Sequence, residues 1–131
     1  MEQKENRVVL RGTVAGEAVL SHQVHGIDFY RFPLAVPRLS GREDLLNILF
    51  PLSSPETALP QAGAFVEVTG EIRSFNNRSG VGNRLVITVL ARYVVPGEGD
   101  PCNQVFLHGV LCKSPVLRRT PLGRDICDLL L

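Results

Sequence analysis

Residues 64–75 read Ala64-Phe65-Val66-Glu67-Val68-Thr69-Gly70-Glu71-Ile72-Arg73-Ser74-Phe75. Val66, Val68 and Ile72 fall on one face of an extended chain. Glu67, Thr69, Glu71, Arg73 and Phe75 fall on the other, which is the period of two that marks a half-buried strand. Gly70 lies in the middle of it.

Strands of the same kind lie on both sides. Arg7 to Val14 is rich in β-branched residues, and Gly12 suits a bulge or the sharp bend that closes small barrels. Ala18 to Leu20 continues it briefly, and His22 to Gly26 reads as a turn. Ile27 to Val36 alternates, with Tyr30, Phe32, Leu34 and Val36 on one face and Phe29, Arg31 and Ala35 on the other. Pro33 belongs at an edge or bulge, because it has no N–H to give a ladder. Arg38 to Arg42, with Pro37 and Gly41, is a hairpin tip, and Leu45 to Leu52 returns as the third strand. Ser53 to Ala62 holds Pro55 and Pro60, so it is a connector with room for one helical turn. After the fourth strand, Asn76 to Asn83 is a polar, Gly-containing loop. Arg84 to Val95 is the fifth strand. Five strands with a connector between the third and fourth fit an all-β five-stranded Greek-key barrel of the OB type; a sandwich needs about seven strands.

Composition agrees with this and removes other classes. The chain has 131 residues, 44% apolar and 21% charged, with 14 Lys+Arg against 13 Asp+Glu. It is too apolar for a disordered polyelectrolyte and near neutral, so any basic surface is local. The first seven residues are charged and polar with no signal-peptide core behind them. The longest apolar run, Leu85 to Ala91 with Thr88 allowed in, is far below the about 20 residues that span a bilayer. Cys102, Cys112 and Cys127 lack metal-ligand spacing and read as reduced thiols. Asn77-Arg78-Ser79 matches the glycosylation triplet, but without a secretory signal it is a polar turn.

The chain also repeats itself. Asn103 to Leu131 aligns without a gap onto Asn6 to Leu34, with nine identities in 29 positions where average usage gives about two. The expected organisation is an OB-fold domain over 6–95, a linker over 96–102, and over 103–131 the first strands of a second, truncated OB-fold. That second copy stops after two strands in an apolar run, which points to a piece of a longer two-domain protein. Two strands alone are marginal and leave open edges, so β-pairing with another domain or chain is expected to order them.

The segment Asn103-Gln104-Val105-Phe106-Leu107-His108-Gly109, followed by Pro115-Val116-Leu117-Arg118-Arg119-Thr120-Pro121-Leu122-Gly123, resembles the opening of the bacterial single-stranded DNA-binding protein family. Asn6 to Gly12 and Val66-Glu67-Val68-Thr69-Gly70-Glu71-Ile72-Arg73 resemble it again, and together these stretches cover about half the chain. The pattern is similar to the tandem-domain variant of some Gram-positive bacteria and to the related primosomal replication protein N. The resemblance implies an oligomeric, cytoplasmic and nucleoid-associated protein that coats single-stranded DNA in replication and repair. It also implies no enzyme activity and no cofactor. Its partners would be single-stranded DNA, further copies of itself and other replication proteins, with no membrane. The chain departs from the family in having no Trp, which leaves base stacking to Phe and Arg.

A sequence-tolerant single-strand binder needs cations along a groove and flat side chains for bases. Residues 6–95 hold nine Arg, no Lys and seven acids, a net of +2. Arg suits both tasks, because it grips phosphate bidentately and stacks on bases. The candidate nucleic-acid-binding set is Arg11, Phe29, Arg31, Arg38, Arg42, Arg73, Phe75, Arg78, Arg84 and Arg92. Phe29 and Phe75 lie on polar faces, whereas Phe32, Phe50 and Phe65 have apolar neighbours and belong to the core. His22 and His25 read as solvated turn residues. Gly80-Val81-Gly82-Asn83 echoes a phosphate loop but leads into a strand, which fails the context such loops require. No nucleophile–base pair, acid pair or metal cluster emerges. The alternative is an OB-fold module for protein–protein assembly, of primosome type, with weak nucleic-acid affinity. RNA is a third option that stacking and phosphate contacts serve equally.

Overall fold

Alternation and β-branched content do produce strands at each of these places. The computed structural model describes residues 5–52, 58–76 and 85–131. Its strands are β1 (Glu5–Val14), β2 (Val19–Val24), β3 (Ile27–Pro37), β4 (Glu43–Leu52), β5 (Phe65–Asn76), β6 (Leu85–Pro96), β7 (Cys102–His108), β8 (Val116–Arg119) and β9 (Asp125–Asp128). Contacts divide the chain into two units. One is Asn6–Phe106; the other comprises Met1–Glu5 and Leu107–Leu131.

In the larger unit five strands form a ring. Its order is β3-β4-β6-β5-β1, closed by the β1–β3 pairing, with β2 beside β3 and β7 beside β1. All neighbours in the ring are antiparallel except β4 and β6, which run parallel over Ile48↔Val89 and Leu49↔Leu90. This is the five-stranded OB barrel read from the sequence. Its interior holds Val8, Leu10, Val14, Phe32, Leu34, Val36, Ile48, Phe50, Val66, Val68, Val89 and Ala91, the inward set of each alternating strand.

Two glycines make the closure possible. β1 pairs with β5 from Val8 to Thr13, then reaches β3 at Thr13↔Ala35 and Val14↔Leu34. At the crossing, a Cβ on Gly12 would collide with the Ala35 carbonyl. Ala35 is buried by this approach although its parity is outward. Gly70 does the same on β5, where a Cβ would strike the Leu90 carbonyl and the Ala91 backbone. Beside it the β5–β6 ladder slips by one residue, from Thr69↔Tyr93 to Gly70↔Ala91. Arg92 is the extra residue of that bulge.

Pro33 lies where β3 changes partner. The β2 pairing ends at Arg31 and the β1 pairing begins at Leu34, and the Pro33 carbonyl accepts the Ala15 N–H at 2.9 Å. One expectation needs correcting. Residues 22–26 are not all turn: His22, Gln23 and Val24 belong to β2, and only His25-Gly26 turns. Both carry positive φ, 49° and 79°, as a two-residue hairpin of primed type requires. A turn this tight lets the strands extend to its edge.

In the smaller unit β8 and β9 form a two-stranded sheet with Arg119↔Asp125 next to the loop. Among the described residues no helix is long and apolar enough to cross a membrane.

Candidate nucleic-acid interface

The ladder registers fix which outward residues share a face. One level across β3, β4, β6 and β5 reads Arg31, Leu49, Leu90, Glu71. Reading on by two residues gives Pro33, Asn47, Thr88 and Arg73, and two residues the other way lie Phe29 and Pro51. A concavity of about 590 Å³ opens on this wall, lined by Ser21, His22, Arg31, Asn47, Ile48, Leu49, Arg73, Val86 and Thr88. Arg31 and Arg73 stand three strand spacings apart and two residues out of level, roughly 16 Å. The floor between them is polar and uncharged at Asn47 and Thr88.

The wall on the β2 side carries a ring pair. His22 stacks on Phe29 with centroids 4.8 Å apart and planes 6° from parallel. A straight ladder counted from Val19↔Arg31 would set Ser21 opposite Phe29. The bulge between Leu20 and His22 advances β2 by one residue and brings the imidazole there instead. His22 is the residue that sequence reasoning passed over as a solvated turn histidine. The signal that finds it is the two-residue turn, because counting outward from His25-Gly26 pairs Val24 with Ile27 and His22 with Phe29.

The predicted set divides by place. Arg31 and Arg73 line the concavity, Phe29 forms its ring wall with His22, and Arg92 projects from the β6 bulge toward the next concavity along. Arg73 is engaged by Glu71, Nη2 to Oε1 at 2.7 Å. Arg11 is elsewhere, on the strand that closes the ring between β5 and β3. It donates to Glu67 Oε1 at 3.0 Å and to the Asp100 carbonyl at 2.8 Å. Arg38 and Arg42 sit at the β3–β4 hairpin tip. There Arg38 Nε donates to Asp44 Oδ1 at 2.9 Å, and the Arg38 N–H donates to the Arg42 carbonyl. The hydrogen bond from Arg38 holds the Asp44 carboxyl below its ordinary range, with their charge attraction assisting against desolvation; the same bond raises Arg38. Arg78, Arg84 and the Phe75 side chain lie outside the described residues.

Among the described residues no three His, Cys, Asp or Glu side chains are grouped to hold a metal ion. Cys102 is half-buried with Sγ 3.8 Å from the Val9 carbonyl, Cys112 and Cys127 are exposed, and all three are free.

No protein-family model matches the chain, and no curated protein sequence does. Solved structures do. The N-terminal domain of PriB from Thermoanaerobacter tencongensis, described as a dimer, is 37% identical over 70% of this chain and 98% of its own, with a TM-score of 0.57. A deletion variant of the single-stranded DNA binding protein from Thermus aquaticus is 25% identical, covers 98% of this chain and 69% of its own, and gives a TM-score of 0.76. The wild-type form of that protein, at 24% identity with 98% and 68% covered and a TM-score of 0.77, shares the fold. With an OB barrel, the sequence pattern of its β1 and β5, and 37% identity to one such domain over 98% of that domain's length, the chain belongs to the family of the bacterial single-stranded DNA-binding proteins and PriB.

Proposed function

We propose that the chain binds single-stranded DNA with little sequence preference, on the outer wall of β3, β4, β6 and β5. The observation that carries this is the concavity with Arg31 and Arg73 on either side and the His22–Phe29 stack at its edge. Cations spaced across a strand-lined groove meet phosphates, and a flat ring pair offers bases a surface that every base fits. Phosphate contacts and a ring surface carry no base identity, which supports little sequence preference. The single-stranded DNA binding for which the Thermus aquaticus protein is named supports the same reading, and the dimer described for PriB supports a homo-oligomer; the proposed setting is replication and repair. In this reading 6–95 is the binding domain, 96–102 a linker, and 103–131 the opening strands of a second copy.

The test is a fluorescence anisotropy titration with labelled oligo-dT at two salt concentrations. Binding should weaken with salt by a slope of about 0.7 per phosphate neutralised. Arg31→Ala and Arg73→Ala should each lower both affinity and slope. A folded protein that leaves oligo-dT unbound at low salt refutes the proposal, and an oligo-U competitor of equal length separates RNA from DNA.

A second reading has its own observation. The β2–β3 hairpin exposes Val19, Val24 and Ile27 on the face of Phe29, and Leu20 on the other, apolar surface that fits a protein contact. Self-association that is insensitive to salt, with no DNA binding, would favour an assembly module.

A further inference from the structure

The parallel pairing of β4 with β6 is short. It ends at Leu49↔Leu90, and beyond it the strands part. Between Phe50–Leu52 and Ala91–Val95 they leave a second concavity of about 490 Å³, bordered by Pro51, Glu71, Leu90, Arg92, Tyr93 and Val95. It adjoins the first one on the same wall, since Leu49 lines that one, its ladder partner Leu90 lines this one, and Glu71, which borders this one, pairs with Arg73 of the other. The bulge at Arg92 decides what faces out here. Before it Val89 and Ala91 point inward; after it Val94 does, so Tyr93 and Val95 turn to the outside.

Tyr93 is therefore a large aromatic ring standing 67% exposed on the outer face of a barrel strand. It sits next to Arg92, a cation with no ion pair among the described residues. Across the cleft, Pro51 is the ladder partner of Phe29, which bears the His22 stack. An exposed ring beside an open guanidinium, in a cleft next to a cation-lined groove, matches one ligand chemistry: a nucleotide whose base lies on the ring and whose phosphate meets the cation.

We infer that the single-stranded DNA track continues past the Arg31–Arg73 groove into this cleft, where Tyr93 stacks a base and Arg92 holds the adjoining phosphate. The inference rests on the binding reading above and extends it to a second subsite and to an aromatic that the chain's sequence pattern leaves among ordinary strand residues. It also gives a Trp-free chain an exposed stacking ring.

The test uses the full chain and oligo-dT of about 12 nucleotides, within the span one OB fold covers. Tyr93→Ala should weaken binding about five- to 150-fold, the range for losing one base–ring stack. Tyr93→Phe should bind as the parent does, and Tyr93→Leu, which keeps apolar bulk without a flat face, should behave as the Ala variant. Arg92→Ala should lower the salt slope by about 0.7, whereas Tyr93→Ala should leave it unchanged. The chain has two tyrosines and no Trp, so intrinsic emission supplies a second readout. DNA should quench it in Tyr30→Phe and lose that effect in Tyr93→Phe. If Arg31→Ala and Arg73→Ala weaken binding while all Tyr93 variants bind as the parent, the groove reading stands and this inference falls. If the Tyr93 variants instead change only the oligomeric mass, the cleft is a protein contact. If the parent chain does not bind at all, the groove reading itself has failed.

Discussion

Glu71→Gln should make the chain bind single-stranded DNA more tightly. Arg73 is one of the two cations of the groove, and in the free protein its Nη2 lies 2.7 Å from Glu71 Oε1. The arginine side chain is 59% exposed while the glutamate side chain is only 18% exposed. A phosphate therefore approaches the guanidinium from its open side with the carboxylate held behind. Placing a phosphate oxygen at about 2.8 Å from the guanidinium sets it roughly 5 Å from Glu71 Oε1. Two like unit charges at that distance repel by about 0.8 kcal/mol in water and about 3 kcal/mol at an effective dielectric of 20. In an open groove the lower end applies, so removing the charge is worth about 1 kcal/mol, or about five-fold in Kd.

Gln keeps the shape of Glu and its acceptor oxygen, so the exposed pair, worth about 0.2–1 kcal/mol at most, is lost with little cost to the fold. The assay is oligo-dT anisotropy at about 0.05 M and about 1 M salt, where the screening length falls to about 3 Å. The gain should be present at the lower salt and vanish at the higher. The slope of log K against log salt should steepen by a part of the about 0.7 that one whole contact gives, because Arg73 already counts in part in the parent and then counts in full. An unchanged affinity refutes the placement of Arg73 in the track. A gain of equal size at both salts refutes its electrostatic origin.

Three further outcomes follow from the fold. Asn6→Ala removes a side chain that donates to the Ile72 carbonyl and accepts the Ile72 N–H, both at 2.9 Å, and should lower stability by about 1–2 kcal/mol in urea unfolding. Gly70→Ala forces a Cβ against the Leu90 carbonyl and the Ala91 backbone, which cannot swing aside as a side chain would; a loss of about 1–3 kcal/mol or more is expected, read as a drop in Tm of at least several degrees. The Arg38–Asp44 pair contributes to folding only while Asp44 is ionised. Its folded-state carboxyl titrates below the unfolded one, so the contribution is complete above about pH 4 and is lost as pH falls through the lowered folded value; Asp44→Asn should flatten that part of the acid-unfolding curve.

The fold was legible because barrel strands carry their burial in their period. Val66, Val68 and Ile72 alternate with Glu67, Thr69 and Glu71, and the first pair reach the core while Ile72 packs at its margin. Gly12 announced a bend that the Ala35 carbonyl requires. What stayed hidden was everything set by an offset of one residue. The bulges at Leu20/His22 and Thr69/Gly70 follow from how two strands fit together, not from the pattern of either strand, and a slip of one residue changes which side chains share a face. That is why the outward positions of Arg31 and Phe29 could be read from the period of β3 while the place of His22 opposite Phe29 could not, and why Tyr93 carried no mark of its outward position. Arg11 shows the converse. Its period was read correctly, but its engagement by Glu67 and Asp100 depends on a register with β5 and on the chain after β6.

The internal repeat separates what the barrel demands from what its surface is free to vary. Of the nine identities, Asn6 clamps Ile72, Val8, Leu10 and Leu34 are core, Gly12 makes the crossing, and Gly26 and Gly123 take φ of 79° and 81° at equivalent turns. Asp28 and Asp125 each accept a hydrogen bond from the preceding strand, from Gln23 and from Arg119. Some of the differences fall on the outer face and reverse its charges. Ser21, His22, Phe29 and Arg31 are matched by Arg118, Arg119, Ile126 and Asp128, and the β8–β9 ladder runs Arg118↔Ile126 without the bulge that brings His22 to Phe29. The cations have moved to the other strand, where each faces an acid, Arg118 with Asp128 at 2.9 Å and Arg119 with Asp125 at 3.0 Å. A shared scaffold with an inverted charge pattern is what results when packing constrains one face of a strand and leaves the other free to vary. The groove at Arg31 and Arg73 is thus a property of the first copy's surface residues, and possession of the barrel alone does not confer it.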